Sequence, residues 1–168
     1  MNILILSEGF PPDGGGVATS TQRIGQALQR AGARVMTVTY KRSSVVDFEA
    51  TPTVTHVDGV EVVRLGPFFK TAGTDQDVVP NQKQKALLRR RFVASLLNYL
   101  EDSGFKPDLI FSLYLLNAGF LATFIANELG IPHIAGIRGN DIGRNIFDPQ
   151  LLYATGFVID RADAAVSV

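Results

Sequence analysis

Residues 1–40, MNILILSEGFPPDGGGVATSTQRIGQALQRAGARVMTVTY, hold the pattern from which the rest of the chain can be read. Asn2 to Leu6 and Arg34 to Tyr40 are short runs rich in Val, Ile and Leu, with the length of buried strands. Between them Val17, Thr21, Ile24, Leu28 and Ala31 recur at helical steps, opposite Arg23, Gln26 and Arg30. Gly32 stands where a left-handed C-cap ends such a helix. Two prolines and three consecutive glycines lie between the first strand and the helix.

The same alternation continues. Pro107 to Leu113, Pro132 to Ile137 and Asp163 to Val168 read as further strands, all expected to be buried on both faces. Leu116 to Leu129 and Asp148 to Arg161 read as helices, with Gly130 and then Pro132 closing the former. That order predicts an α/β domain, a Rossmann-like parallel β-sheet with helices on both faces. Thr53 to Leu65 has Asp58-Gly59 at its middle, the signal of a tight turn between two strand arms. Gly66 to Lys83 has no period and reads as a long surface loop. From Gln84 to Ser103, Leu88, Phe92, Leu96 and Leu100 fall four apart with Tyr99 beside them, a helix expected to dock on the sheet.

Composition restricts the classes of function. At 168 residues and 46% hydrophobic, residues 1–168 suffice for one full core and read as a single domain. Sixteen basic residues balance sixteen acidic ones, so no nucleic acid partner is indicated. There is no cysteine for a disulfide or a thiolate metal site. The first residues have neither the apolar length nor the basic flank of a signal peptide, and no apolar run approaches the roughly 20 residues that span a bilayer. A cytoplasmic protein, with peripheral membrane contact open to it, is expected.

In an open parallel sheet, ligands bind beyond the carboxyl ends of the strands, where a helix N-terminus offers free N–H groups to an anion. The glycine loop occupies that position. Its two readings are a cradle for a phosphate and a sharp strand-to-helix turn. A dinucleotide fingerprint is absent, because Gly16 is followed by Val17, Ala18 and Thr19, and the second strand ends in Tyr40, Lys41 and Arg42. A Walker A loop is also absent, since no Gly-Lys-Ser/Thr occurs.

Residues 1–40 resemble the opening of a family 4 glycosyltransferase of the GT-B fold. SGFKPDLIFSLYLLNAGFLATFIANELGIPHIAGIRGNDIG, residues 103–143, is similar to a later stretch of that family, and YATGFVIDRADAAVSV, residues 153–168, to its helix and strand before the interdomain link. The segment from Ser43 to Leu87 matches poorly. The resemblance implies the N-terminal, acceptor-side half of a two-domain enzyme, whose C-terminal donor-binding domain is absent from this chain. The family's glutamate pair belongs to that second domain, and none of Glu8, Glu49, Glu61, Glu101 and Glu128 reproduces its spacing.

The implied reaction moves a sugar from a nucleotide-sugar donor, which is a substrate and not a cofactor, to an acceptor hydroxyl. It proceeds with retention, without metal, in glycan, glycolipid or polysaccharide synthesis. The acceptor would be a sugar, a lipid-linked compound or a small molecule. No catalytic residue is assigned. Gly15 and Gly16 match the family's glycine pair, whose amides face donor phosphate or an acidic group of the acceptor. Where many relatives have histidine this chain has Arg138, followed by Gly139, Asn140 and Asp141. Arginine only donates and stays charged, so it suits a ligand anion or carbonyl; pairing with Asp141 is the alternative. Gly139 is expected to permit a sharp turn, and Asn140 or Asp141 to meet a sugar hydroxyl.

Two other classes compete with transfer: a non-catalytic sugar- or phosphate-binding module, and another GT-B enzyme such as a sugar-nucleotide epimerase. His133 reads as a packed core residue and His56 as a surface strand residue. Phe68 and Phe69 would stack on an acceptor, touch lipid or fold over the core. Lys83, Lys85 and Arg89 to Arg91 read as a solvated helix face, with Arg89 near the apolar stripe and able to reach the cleft or an anionic membrane.

Overall fold

Apolar runs pair into one sheet in the computed structural model, which describes residues 1–41, 51–66 and 82–167. The described strands are β1 (Asn2–Ser7), β2 (Arg34–Tyr40), β3 (Thr53–Val57), β4 (Val60–Leu65), β5 (Leu109–Leu113), β6 (His133–Ile137) and β7 (Ala164–Ser167). Their order is β3-β4-β2-β1-β5-β6-β7, and every neighbouring pair is parallel except β3 with β4. The helices are α1 (Gly16–Arg30), α2 (Gln82–Ser103), α3 (Phe120–Leu129), α4 (Gly139–Gly143) and α5 (Pro149–Arg161). The parallel α/β architecture is the one expected, with helices on both faces.

Alternation along β1 explains the two layers. Ile3 and Ile5 face α1, where Val35, Val60, Ile24 and Leu28 complete one apolar cluster. Leu4 and Leu6 face the other way, against Phe92 and Leu96 of α2 and Leu121 and Ile125 of α3. Each such side chain, fully buried, contributes roughly 1.5–3 kcal/mol. Phe157 of α5 belongs to a third cluster, with Leu115, Ala135 and Val158, and its ring centroid lies 5.3 Å from Phe120 and 5.5 Å from Phe124.

The turn between β3 and β4 has positive φ at both central residues, 50° at Asp58 and 84° at Gly59, as a two-residue hairpin with right-handed strand twist requires. α1 and α3 end at the expected stops.

Three expectations are corrected. β7 is exposed along its length, not buried on both faces, because it is the edge strand of the sheet and pairs only with β6. The helix expected from Leu116 opens with one π turn, Leu115–Gly119, before α3 begins. The segment after β6, where a sharp turn was expected at Gly139, forms the short helix α4. The loop read from Gly66 to Lys83, with Phe68 and Phe69, falls mostly outside the described residues.

Candidate functional site

Parallel strands β1, β2, β4, β5 and β6 all finish at one edge of the sheet, so the segments after them meet there. Following β1, the loop first tightens around Phe10, which is fully buried. Its N–H donates to Asp13 Oδ2 at 3.2 Å, and its carbonyl accepts the N–H of Asp13 at 3.0 Å. Gly15 then takes φ 107° and ψ 165°, a region essentially closed to residues with a Cβ. This conformation turns the chain into α1.

α1 begins without any side-chain cap and without an acidic residue in its first turn. Its first intrahelical bond is Thr19 N–H to Gly15 O, so the amides of Gly16, Val17 and Ala18 precede the ladder. Gly14, Gly15 and Gly16 are exposed. An uncapped, exposed helix N-terminus favours an anion through both its donors and its dipole.

Arg138 comes to this helix end from β6, two strands beyond β1. Its Nη1 donates to Ser20 Oγ at 3.0 Å and its Nη2 to the carbonyl of Gly16 at 3.4 Å. A Cβ on Gly16 would lie 3.6 Å from Nη2. The guanidinium has five N–H donors, and these bonds engage two of them. Gly15, Gly16 and Arg138 therefore form one constellation.

Asp141 has a different part. It is fully buried; Oδ2 accepts the Arg138 N–H at 2.9 Å and Oδ1 the Leu115 N–H at 3.2 Å. Burial pushes its carboxyl above the usual carboxylate range, opposed by those amides and by the nearby Arg138 charge. Asp141 thus ties the end of β5 to the start of α4, and the expected contact with a sugar hydroxyl has no opening. The alternative pairing of Arg138 with Asp141 holds for the Arg138 backbone, while the guanidinium bonds to α1. Gly139 is not at a positive φ and begins α4; the turn is made by extended Arg138 and the Asp141 cap. Asn140 is exposed on α4.

Sequence reasoning missed a further pair. Glu8 follows β1, and its Oε1 accepts from Asn117 Nδ2 in the π turn after β5 at 3.0 Å. Tyr114, at the end of β5, holds φ 88°, an uncommon conformation for a non-glycine residue and worth about 1–3 kcal/mol of strain. π turns and such outliers concentrate at functional sites. The legible signal was position alone, because Glu8 directly follows a strand at the ligand edge.

Other candidates lie elsewhere. His133 is buried at the opposite edge, where burial lowers its pKa to about 4; Nε2 lies 2.8 Å from Ser112 Oγ and Nδ1 3.4 Å from Thr123 Oγ1. His56 is exposed on β3. Arg89 is half-buried, its guanidinium lying 5.4 Å over the Phe120 ring. Lys83, Arg90 and Arg91 are exposed. A cavity of about 840 Å³ opens between α3 and α5, beside Phe124, His133, Phe157 and Arg161, and contains none of the glycine-loop residues. Among the described residues there is no metal-binding cluster, and no helix is long and apolar enough to cross a membrane.

Residues 15–168 match the family model of a glycosyl transferase 4-like domain. No curated sequence matches the chain significantly. Among solved structures, the catalytic domain of starch synthase IV from Arabidopsis thaliana, bound to ADP and acarbose, is 18% identical with a TM-score of 0.54, over 80% of this chain and 33% of that one. An α,α-trehalose-phosphate synthase (UDP-forming) from Burkholderia vietnamiensis is 18% identical with a TM-score of 0.56, over 98% and 38%. The UDP-GlcNAc 2-epimerase from Neisseria meningitidis, bound to UDP-GlcNAc, is 18% identical with a TM-score of 0.51, over 94% and 38%. At these identities the likeness is one of fold, and the chain spans well under half the length of each.

Proposed function

Because this chain belongs to the glycosyl transferase 4-like domain family, we propose that it supplies the acceptor-side half of the cleft in a retaining, metal-independent glycosyltransferase. The donor is a nucleotide sugar and the acceptor a hydroxyl on a sugar, lipid-linked or small-molecule compound. The donor-binding half lies in a second domain of the full-length protein.

One observation carries the reading. The uncapped N-terminus of α1 and the guanidinium of Arg138 converge at Gly16, on the edge of the sheet where ligands of such folds bind. Fixed neutral amides and one permanent positive charge receive an anion without a proton transfer. That anion is the donor diphosphate or an acidic group of the acceptor. Holding it there stabilises charge that develops on departure of the diphosphate and orients the acceptor against the anomeric carbon. In this reading Asn140, exposed on α4, meets a sugar hydroxyl.

The test is transfer by the full-length protein from a panel of UDP-, GDP- and ADP-sugars, with product anomers read by NMR and EDTA present in parallel. Formation of a retained glycoside, unchanged by EDTA, supports the proposal. The fold shared with the epimerase favours a second reading, isomerisation of the nucleotide sugar; an altered donor with no glycoside formed would establish that instead.

A further inference from the structure

Arg64 of β4 ends at the loop that precedes the glycines. It stands opposite Thr39 of β2 and Thr53 of β3 in the sheet register, one residue before β4 finishes. Its Nη2 donates to the carbonyl of Pro11 at 2.7 Å and of Phe10 at 3.2 Å, and its Nη1 to Thr55 Oγ1 at 3.0 Å. The two loop residues and Arg64 are more than fifty positions apart in sequence. Backbone carbonyls in a loop have no ladder partner, so a single cation bonded to two consecutive ones decides which way that peptide faces.

Phe10 is thereby held on every side. Its ring is buried below α1, its N–H bonds Asp13, and its carbonyl bonds both Asp13 and Arg64. Gly14 and Gly15 follow, exposed and without side chains to fix them, so the direction in which the chain enters α1 is inherited from Phe10 to Asp13. A planar guanidinium can span Phe10, Pro11 and Thr55 together; an ammonium is a point donor and cannot reproduce that fork.

We propose that Arg64 is a positioning residue: it holds the Phe10–Pro11 peptide so that the amides after Gly15 face the anion. This inference rests on the reading of the glycine loop as an anion site. Arg64 acts through the loop and not on the ligand, since its Nη1 and Nη2 donate to protein acceptors.

Two measurements on the full-length protein separate the inference from the reading beneath it. The first is amide hydrogen exchange across residues 8–18 without ligand, in wild type, R64M, R64K and T55V. R64M keeps most of the aliphatic stem, which guards against a folding failure. Exchange in that segment should rise about tenfold or more in R64M, rise less in R64K, and stay near wild type in T55V, with melting temperatures close together. The second is titration with inorganic pyrophosphate, followed by the amide shifts of Gly15 and Gly16. Wild type should shift saturably, and R64M should bind at least fivefold more weakly. Wild-type exchange in R64M overturns the positioning role, whatever pyrophosphate does. Raised exchange in R64M with no pyrophosphate response in wild type shows that Arg64 holds the loop but overturns the anion site, and with it the functional part of the proposal.

Discussion

The guanidinium of Arg138 donates to the carbonyl of Gly16 across 122 positions of sequence. That contact joins the loop after β6 to the helix after β1, and it makes the size of residue 16 a probe of the site.

A first carbon on Gly16 would sit in ordinary contact with Nη2, at 3.6 Å. Gly16→Ala should therefore keep most activity in the full-length enzyme. Gly16→Val adds branches that crowd the guanidinium and the space above the helix end. It should cut kcat/KM by about a hundredfold, the order seen when one oxyanion donor is lost, with little change in Tm. Steady-state kinetics and thermal melts of the two variants check this.

Arg138 and Asp141 should separate cleanly. Arg138 is half-buried and its side chain bonds only Ser20 and Gly16 among the described contacts. Arg138→Ala should lower kcat/KM by about 2–5 kcal/mol in transition-state binding while leaving Tm nearly unchanged. Asp141→Asn puts an amide NH₂ against one of the two backbone N–H groups that the carboxylate accepts. It should cost about 1–3 kcal/mol of stability, read by urea unfolding.

How far these elements were legible depends on how local their cause is. β1, β2 and α1 follow from runs and spacings within forty residues, and the Asp58-Gly59 hairpin from two adjacent ones. α4 is five residues long, too short for any period to show, and the π turn inserts a residue that helical spacing cannot register. Exposure of β7 follows from strand order, which a run of apolar residues does not encode. Gly15, Gly16 and Arg138 were each visible as unusual residues after strands. Their meeting, the Glu8–Asn117 bond and the Arg64 clamp join residues 53 or more positions apart, and no local pattern announces them.

His133 gives a pH dependence of stability. Its pKa falls from 6.5 unfolded to about 4 folded, with burial the main cause and Asp163 opposing it. Between those values the unfolded chain binds more protons, so stability rises with pH across the window and is lost as pH falls through it. The full contribution is about 3 kcal/mol, present above pH 6.5. His133→Asn should flatten the slope of urea-unfolding free energy between about pH 4 and 6.5.

The proposed division of labour also predicts that residues 1–168, purified alone, transfer no sugar from any nucleotide donor in a panel where the full-length protein does. Turnover by the shorter chain would move the catalytic machinery into this domain.

The central claim is that Gly16 and Arg138 together receive an anionic group of a substrate. A crystal structure of the full-length protein with nucleotide-sugar donor and acceptor analogue bound tests it directly. The account predicts a phosphate or carboxylate oxygen within hydrogen-bonding distance of both the Gly16 amide and the Arg138 guanidinium. Both ligands bound, with neither one touching the glycine loop or Arg138, would contradict it.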